Sequence, residues 1–131
     1  MTTDEDGSEF EDIRGVTGSN LSPEVLAYKS MVESYANQYG IGNYTGYLLA
    51  IMMVESGGVG DDVMQSSESL GLPPNSLTPV ESIEQGVKYF ASLLATATEK
   101  GCDISTVVQA YNYGGAFIDY VAKNGQQYTL P

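Results

Sequence analysis

The chain contains no histidine, a single cysteine and only five basic residues among its 131 positions. Without histidine, neither a Ser-His nor a Cys-His nucleophilic pair can form. Cys102 has no second cysteine with which to form a disulfide, and no histidine accompanies it to hold a metal ion. We therefore expect any chemistry here to depend on carboxylates, with no metal and no cofactor.

The shortage of basic residues leaves the chain strongly acidic, with 17 Asp and Glu residues and a formal net charge of -12. An acidic surface repels phosphate backbones, which argues against nucleic acid as a partner. An uncharged ligand such as a sugar is compatible with this charge. Acidity also accompanies plain solubility, so the charge alone does not identify a ligand.

Long apolar runs are also absent, since no segment reaches the roughly 18 apolar residues of a membrane span. The N-terminus has neither the basic nor the apolar region of a signal peptide. Residues 1–21 are polar and acidic and are predicted to be mostly disordered. Residues 22–131 are predicted to form one domain. The ending Thr129-Leu130-Pro131 resembles a cut linker, so we expect a piece of a longer chain.

Apolar residues at helical spacing, together with capping signals, predict an all-α domain of five or six helices without strands. Ser22 and Pro23 begin the first helix, and Thr78 with Glu81 forms a capping box before a long one. Asp103 caps the helix that follows. The predicted helices cover about 22–39, 43–55, 78–100 and 103–113, with a short turn near 64–69 and a last helix around 117–124.

Glu55 directly follows eight consecutive apolar residues, positions 47–54. A helix that is apolar on all sides is normally buried. Loss of hydration and the negative end of the helix dipole both predict a raised pKa for a carboxyl group at its C-terminal end. A carboxylic acid that keeps its proton near neutral pH suits general-acid catalysis. The alternative is an ordinary polar residue that ends a core helix.

Three short segments follow one another in the chain: Glu55-Ser56, Met64-Gln65-Ser66 and the A-Y-N-Y-G segment at 110–114. This order resembles the lysozyme-like domain of soluble lytic transglycosylases and goose-type lysozymes. It resembles more closely still the bacterial goose-type lysozyme domain of two-domain (CwlT-like) cell-wall hydrolases, in which an M-Q-S-S-E-S-L-G-L-P stretch, here residues 64–73, accompanies the catalytic helix. The resemblance covers about residues 25–125. It implies a lysozyme-like fold whose apolar central helix ends at the catalytic Glu.

The resemblance also implies roles for the residues of the first two segments. Glu55 matches the catalytic acid that protonates the glycosidic oxygen between N-acetylmuramic acid and N-acetylglucosamine. Ser56 matches a partner beside the substrate. Gln65 matches an amide that lines the glycan cleft, with Met64 packed beneath it and Ser66 next to it.

In the third segment, Tyr111 matches a phenol that faces the catalytic carboxyl group, and Asn112 matches an amide that helps to hold the cleft. Gly114 would let the backbone turn after that helix. The chain departs from the pattern at Asp62-Val63, where many transglycosylases have Gly-Leu. The entry to that loop is the part the resemblance describes least well.

Glycoside hydrolysis usually needs a second carboxylate beside the general acid. Glu68 is the first candidate because it lies in the predicted cleft loop, and Asp61 and Asp62 come next. Each of them can also be read as a solvated loop charge. Lytic transglycosylases need only one Glu, because the sugar's own hydroxyl attacks and a 1,6-anhydro product forms.

The resemblance thus implies a peptidoglycan N-acetylmuramidase that acts on glycan strands. The alternatives are a lytic transglycosylase and, from other classes, a non-catalytic glycan-binding module or a helical scaffold. Related chains often carry a C-terminal NlpC-type peptidase domain. We expect a monomer that works outside the membrane at the cell wall, with or without a membrane anchor.

Overall fold

The computed structural model describes residues 20–124, so the predicted disordered segment, residues 1–21, lies outside this range except for its last two positions. Within it the α-helices are α1 (Pro23–Ala27), α2 (Lys29–Gln38), α3 (Thr45–Glu55), α4 (Pro79–Glu99), α5 (Ile104–Tyr113) and α6 (Ala116–Lys123). Short 3-10 turns occupy Gly42–Tyr44 and Ser67–Leu70. Residues 20–124 contain no strand, which confirms the all-α prediction.

The chain forms two compact units, and the boundary between them in sequence falls inside α4, between Lys88 and Tyr89. In the first unit, α1 and α2 both pack against α3. Every residue of α3 from Thr45 to Met52 is buried. This explains why the helix is apolar on all its faces, since none of them needs to meet water. In the second unit, α5 packs against α6.

Helix capping follows the sequence signals. The Ser22 side chain accepts a bond from the backbone N–H three residues further on. The Thr78 N–H donates to Glu81 Oε1 at 3.0 Å, and the Glu81 N–H donates to Thr78 Oγ1 at 3.3 Å. Asp103 Oδ1 accepts from the N–H of Thr106 at 3.1 Å. The predicted caps of α1, α4 and α5 are therefore confirmed.

Two details of the helical prediction are wrong. The first helix is not continuous, because the Tyr28 N–H bonds to the Val25 carbonyl only three residues back and α1 ends at Ala27. On α4, apolar spacing predicts that Leu94 lies on the buried face, but Leu93 is buried and Leu94 is partly exposed. Residues three and four positions after Phe90 lie on the same side of a helix, so spacing alone cannot decide which of the two is covered.

Gly58 lies where α1 approaches the turn that follows α3. Its φ is +82°, and a Cβ there would lie 2.7 Å from the Val25 nitrogen and 2.8 Å from the Glu24 carbonyl carbon. Ser22 Oγ donates to the Gly57 carbonyl at 2.8 Å in the same place. Backbone thus rests on backbone, and only glycine satisfies both the torsion angle and the space.

We expect Gly58→Ala to destabilise the protein by about 3 kcal/mol, because left-handed strain and overpacking add together. Gly60→Ala is the matched control, because Gly60 has a φ of +89° with nothing within 4 Å of a built Cβ. It should cost only about 1 kcal/mol, from the torsion alone. Urea unfolding monitored by circular dichroism measures both. If the two variants lose the same free energy of unfolding, the contact between Gly58 and α1 is not close.

Candidate active site

Glu55 is the last residue of α3 and is partly exposed, like the two residues before it, whereas residues 45–52 of the helix are buried. The Gly57 N–H bonds to the carbonyls of Met52 at 3.0 Å and Met53 at 3.1 Å. Gly57 itself has a φ of +67°, so the chain turns away directly after the helix. The carboxyl group is thus carried at the end of a rigid, buried element.

Ser56 ties this helix end to the loop that follows. Its hydroxyl donates to the Val63 carbonyl at 2.6 Å and accepts from the Gly58 N–H at 2.9 Å. These bonds fix the chain on both sides of the turn after Glu55. The proposed contact of Ser56 with a substrate stays a prediction.

Asp62 is the centre of a buried network that sequence analysis did not foresee. Its side chain is only 1% exposed. Oδ1 accepts from the Ser66 N–H at 3.0 Å and the Ser82 hydroxyl at 2.6 Å. Oδ2 accepts from the Ser67 N–H at 3.3 Å, the Ser67 hydroxyl at 2.6 Å and the Asn75 N–H at 3.2 Å. We call these five residues the Asp62 network.

The network keeps Asp62 ionised. Burial opposes the charged form, but hydrogen bonds from the Ser67 and Ser82 hydroxyls and from the backbone of Ser66 and Ser67 outweigh it and lower the pKa of Asp62 below its ordinary value. The interpretation of Asp62 as a solvated loop charge is therefore wrong. Its carboxylate organises the loop and does not face water.

Gln65 is held in an unusual backbone conformation above this network, with a φ of +49°. Its side-chain Nε2 donates to the Asp62 carbonyl at 2.9 Å and to Asn75 Oδ1 at 3.0 Å. Because a backbone carbonyl can only accept, these contacts fix which end of the amide is nitrogen. Within residues 20–124, Gln65 Oε1 accepts no hydrogen bond, so it is the atom that this amide can offer to a ligand.

Met64 and Ser66 flank Gln65 and are buried, at 0% and 1% exposure. The Met64 N–H donates to Ser82 Oγ at 2.9 Å, and Ser66 Oγ donates to the Ser82 carbonyl at 2.8 Å. Both residues thus connect the loop to the first turns of α4. The Ser66 hydroxyl proton is therefore already used in a bond to Ser82. A direct contact of either side chain with a substrate stays a prediction.

Glu68 and Asp61, the other candidates for a second carboxylate, are both exposed. Glu68 lies in the 3-10 turn Ser67–Leu70. Either carboxylate can reach solvent water, unlike that of Asp62. Their part in catalysis stays a prediction.

The remaining candidates belong to the second unit. Tyr111 lies on α5 and is 8% exposed, with its ring centroid 5.3 Å from that of Tyr89. Burial raises the pKa of Tyr89. Asn112 is exposed, and Gly114 ends α5 with a φ of +95°. Their predicted places around the carboxyl group of Glu55 stay predictions.

Asn75 and Ser82, which complete the Asp62 network, are not among the residues predicted from the sequence. A signal for Ser82 was available. Ser82 lies next to Ile83 near the start of α4, on the face that is buried, and a buried hydroxyl needs a hydrogen-bond partner. No comparable signal marks Asn75, which lies in an irregular segment.

Comparison with known proteins shows what this chain is similar to. The family model described as Lysozyme-like matches residues 22–131. The bifunctional muramidase/DL-endopeptidase CwlT of Bacillus subtilis strain 168 is 48% identical over 110 residues, which are 83% of this chain and 32% of that protein. Pneumococcal vaccine antigen A of Streptococcus pneumoniae serotype 4 is 39% identical over 108 residues, covering 82% of this chain and 53% of that protein.

A solved structure agrees with these relatives. The crystal structure of a lipoprotein-like protein of the NLP/P60 family from Staphylococcus aureus subsp. aureus Mu50 has a TM-score of 0.82 and 60% sequence identity. The match covers 83% of this chain and 37% of that one. This chain therefore spans about a third to a half of the length of the proteins it matches.

We expect Asp62→Asn to lower the free energy of unfolding at pH 7 by about 2–4 kcal/mol, because an amide cannot accept from all the buried donors. The folded-state pKa of Asp62 is lowered, so its ionic contribution is present above the unfolded-state pKa of about 4 and is lost as the pH falls through the folded-state pKa. The gap between wild type and variant should therefore narrow below about pH 4.

Urea unfolding at a series of pH values measures this gap, and Asp61→Asn is the control because Asp61 is exposed. Asp61→Asn should follow the wild type at every pH. A gap between wild type and Asp62→Asn that stays constant down to pH 2 would show that the charge of Asp62 is not what the network stabilises.

Proposed function

Because the chain belongs to the lysozyme-like family, we propose that it is the muramidase domain of a peptidoglycan hydrolase. In this proposal it cleaves the β-1,4 bond between N-acetylmuramic acid and N-acetylglucosamine. One observation carries the proposal: Glu55 ends the buried helix α3, and Ser56 ties that end to the segment that presents Gln65. The identity of 48% to a protein named as a muramidase supports it.

Glu55 acts as the general acid. Its carboxyl group gives a proton to the glycosidic oxygen while the bond from that oxygen to the anomeric carbon breaks. A water molecule then adds to the anomeric carbon and gives up a proton to a carboxylate, which is Glu68 or the ionised Glu55 itself. A rigid helix end suits this task, because proton transfer requires a fixed distance between donor and acceptor.

The whole protein is proposed to be larger than this domain. The named activities of CwlT and the NLP/P60 description of the structural relative support a second domain with peptidase activity. A protein that acts on glycan strands would function at the cell wall, outside the membrane. None of the helices described between residues 20 and 124 is both long and apolar enough to cross a bilayer.

Glu55→Gln should abolish the release of soluble fragments from purified cell walls, with a loss of at least about a thousandfold in rate, because the amide cannot give the proton. Glu33→Gln is the matched control, since Glu33 is an exposed residue of α2. It should clear the wall suspension as fast as the wild type. Equal clearing by Glu55→Gln would remove Glu55 from the mechanism. If the wild type and both variants bind to cell walls but none of them clears the suspension, the result would favour a glycan-binding module.

The mass of the released fragments separates hydrolysis from transglycosylation. We expect reducing muramic acid ends, and we expect Glu68→Gln to lower their yield about tenfold or more if Glu68 activates the water. Mass spectrometry of the products measures both. Fragments lighter by one water, formed equally by the wild type and Glu68→Gln, would show a lytic transglycosylase that uses one Glu.

A further inference from the structure

The turn that carries Gln65 does not have a conformation that its own residues favour. Gln65 has a φ of +49°, and a non-glycine residue in the left-handed region costs about 1 kcal/mol or more. Such a conformation persists only where the surroundings over-determine it. The surroundings here are the Asp62 network, which holds the residues on the C-terminal side of Gln65 through the N–H groups of Ser66 and Ser67.

The same residue also fixes the Gln65 side chain. The backbone carbonyl of Asp62 accepts one Nε2–H bond at 2.9 Å, and Asn75, whose N–H bonds to Asp62 Oδ2 at 3.2 Å, accepts the other at 3.0 Å. Both amide hydrogens are thus used inside the protein. What Gln65 can show a ligand is its carbonyl oxygen, an acceptor with no donor beside it on the same side chain.

We propose that Asp62 is a positioning residue for the reaction: it holds Gln65 so that Oε1 alone meets the substrate, which must supply a donor. This inference rests on the proposed function and deepens it. An N-acetylated glycan offers such donors in its amide N–H groups and hydroxyls. Asp62 itself touches no substrate, because its side chain is 1% exposed and bonded on both oxygens.

Asparagine cannot replace Asp62 in this role. Backbone N–H groups point at both carboxylate oxygens, that of Ser66 at Oδ1 and those of Ser67 and Asn75 at Oδ2. A hydroxyl could rotate to accept from an amide nitrogen, but a backbone N–H cannot reverse. In the Asp62→Asn variant, either orientation of the side-chain amide therefore sets its NH2 group against a fixed donor. The turn must move, and Gln65 moves with it.

A double-mutant cycle on kcat/KM tests the proposal with Asp62→Asn, Gln65→Ala and the double variant, assayed on purified glycan strands well below the melting temperature of each protein. Each single variant should lose about tenfold, and the double variant should lose no more than the worse single variant, because both remove the same contact. A purely structural role would give losses that multiply. If the two fold-losses in kcat/KM multiply in the double variant, which means that their free energies add, the proposal is overturned.

Two further variants guard against a general effect of lost stability. Asp103→Ala removes the cap of α5, a change that costs about 1 kcal/mol, and should leave kcat/KM unchanged. If Asp62→Asn does not fold, Ser82→Ala takes its place in the cycle. It removes one donor to Oδ1 and keeps the backbone donors. Additivity between Ser82→Ala and Gln65→Ala would also overturn the proposal.

Hydrogen exchange of the Gln65 side-chain amide, followed by NMR, tests the geometry without activity. The wild type should show slowed exchange of these protons, and Asp62→Asn should bring it to the rate of an exposed amide. Equal exchange in the two proteins would overturn the proposal. If the wild type is active but the fold-losses in kcat/KM multiply in the double variant, only this inference is contradicted and the proposed function stands. A wild type that releases no product contradicts the proposed function, and the exchange rates still decide whether Asp62 fixes Gln65.

Discussion

The irregular segment between α3 and α4 depends on one buried carboxylate. Asp62 gathers donors from the C-terminal side of the Gln65 turn, from the far end of the loop at Asn75 and from α4 at Ser82. An isolated charge would be costly at 1% exposure, but hydrogen bonds to a charged group are among the stronger ones in proteins. A segment without regular hydrogen bonds thus gains a defined shape from a single side chain.

That shape matters because the loop starts where α3 ends. Ser56 bonds to Val63, the residue after Asp62, so the carboxyl-bearing end of the helix and the network share one short piece of chain. On its other side, the turn rests on α1 through Gly58. Glu55 therefore stands between two fixed supports. We regard this as the way a small domain obtains rigidity in a loop, through hydrogen bonds to one carboxylate and close packing of backbone on backbone.

The helices could be predicted because their signals are local. Caps at Ser22, Thr78 and Asp103 need only neighbours three residues away, and the eight apolar residues before Glu55 already indicate a buried helix. The break at Tyr28 has no such signal: apolar spacing continues through it. A periodic pattern likewise cannot decide whether Leu93 or Leu94 is the more buried residue of α4, since both lie on the side of the helix that carries Phe90.

The site could be predicted only in part, for a related reason. The identity of Glu55 and its place at a helix end follow from contiguous residues and from the family resemblance. The Asp62 network joins residues up to 20 positions apart, and an aspartate in a Gly- and Ser-rich stretch is normally solvated. Only the fold shows that three N–H groups and two hydroxyls converge on it.

This convergence limits how the chain can diverge. A lineage that exchanges Asp62 for glycine, the residue many transglycosylases carry there, would leave the N–H groups of Ser66 and Ser67 without the acceptor that they have here. Ser82 Oγ would keep the Met64 N–H and Ser66 Oγ as partners. The backbone donors, in contrast, would need a water molecule or another polar side chain in the vacated space. The loop should therefore keep its present course only in chains that place an acceptor in this space.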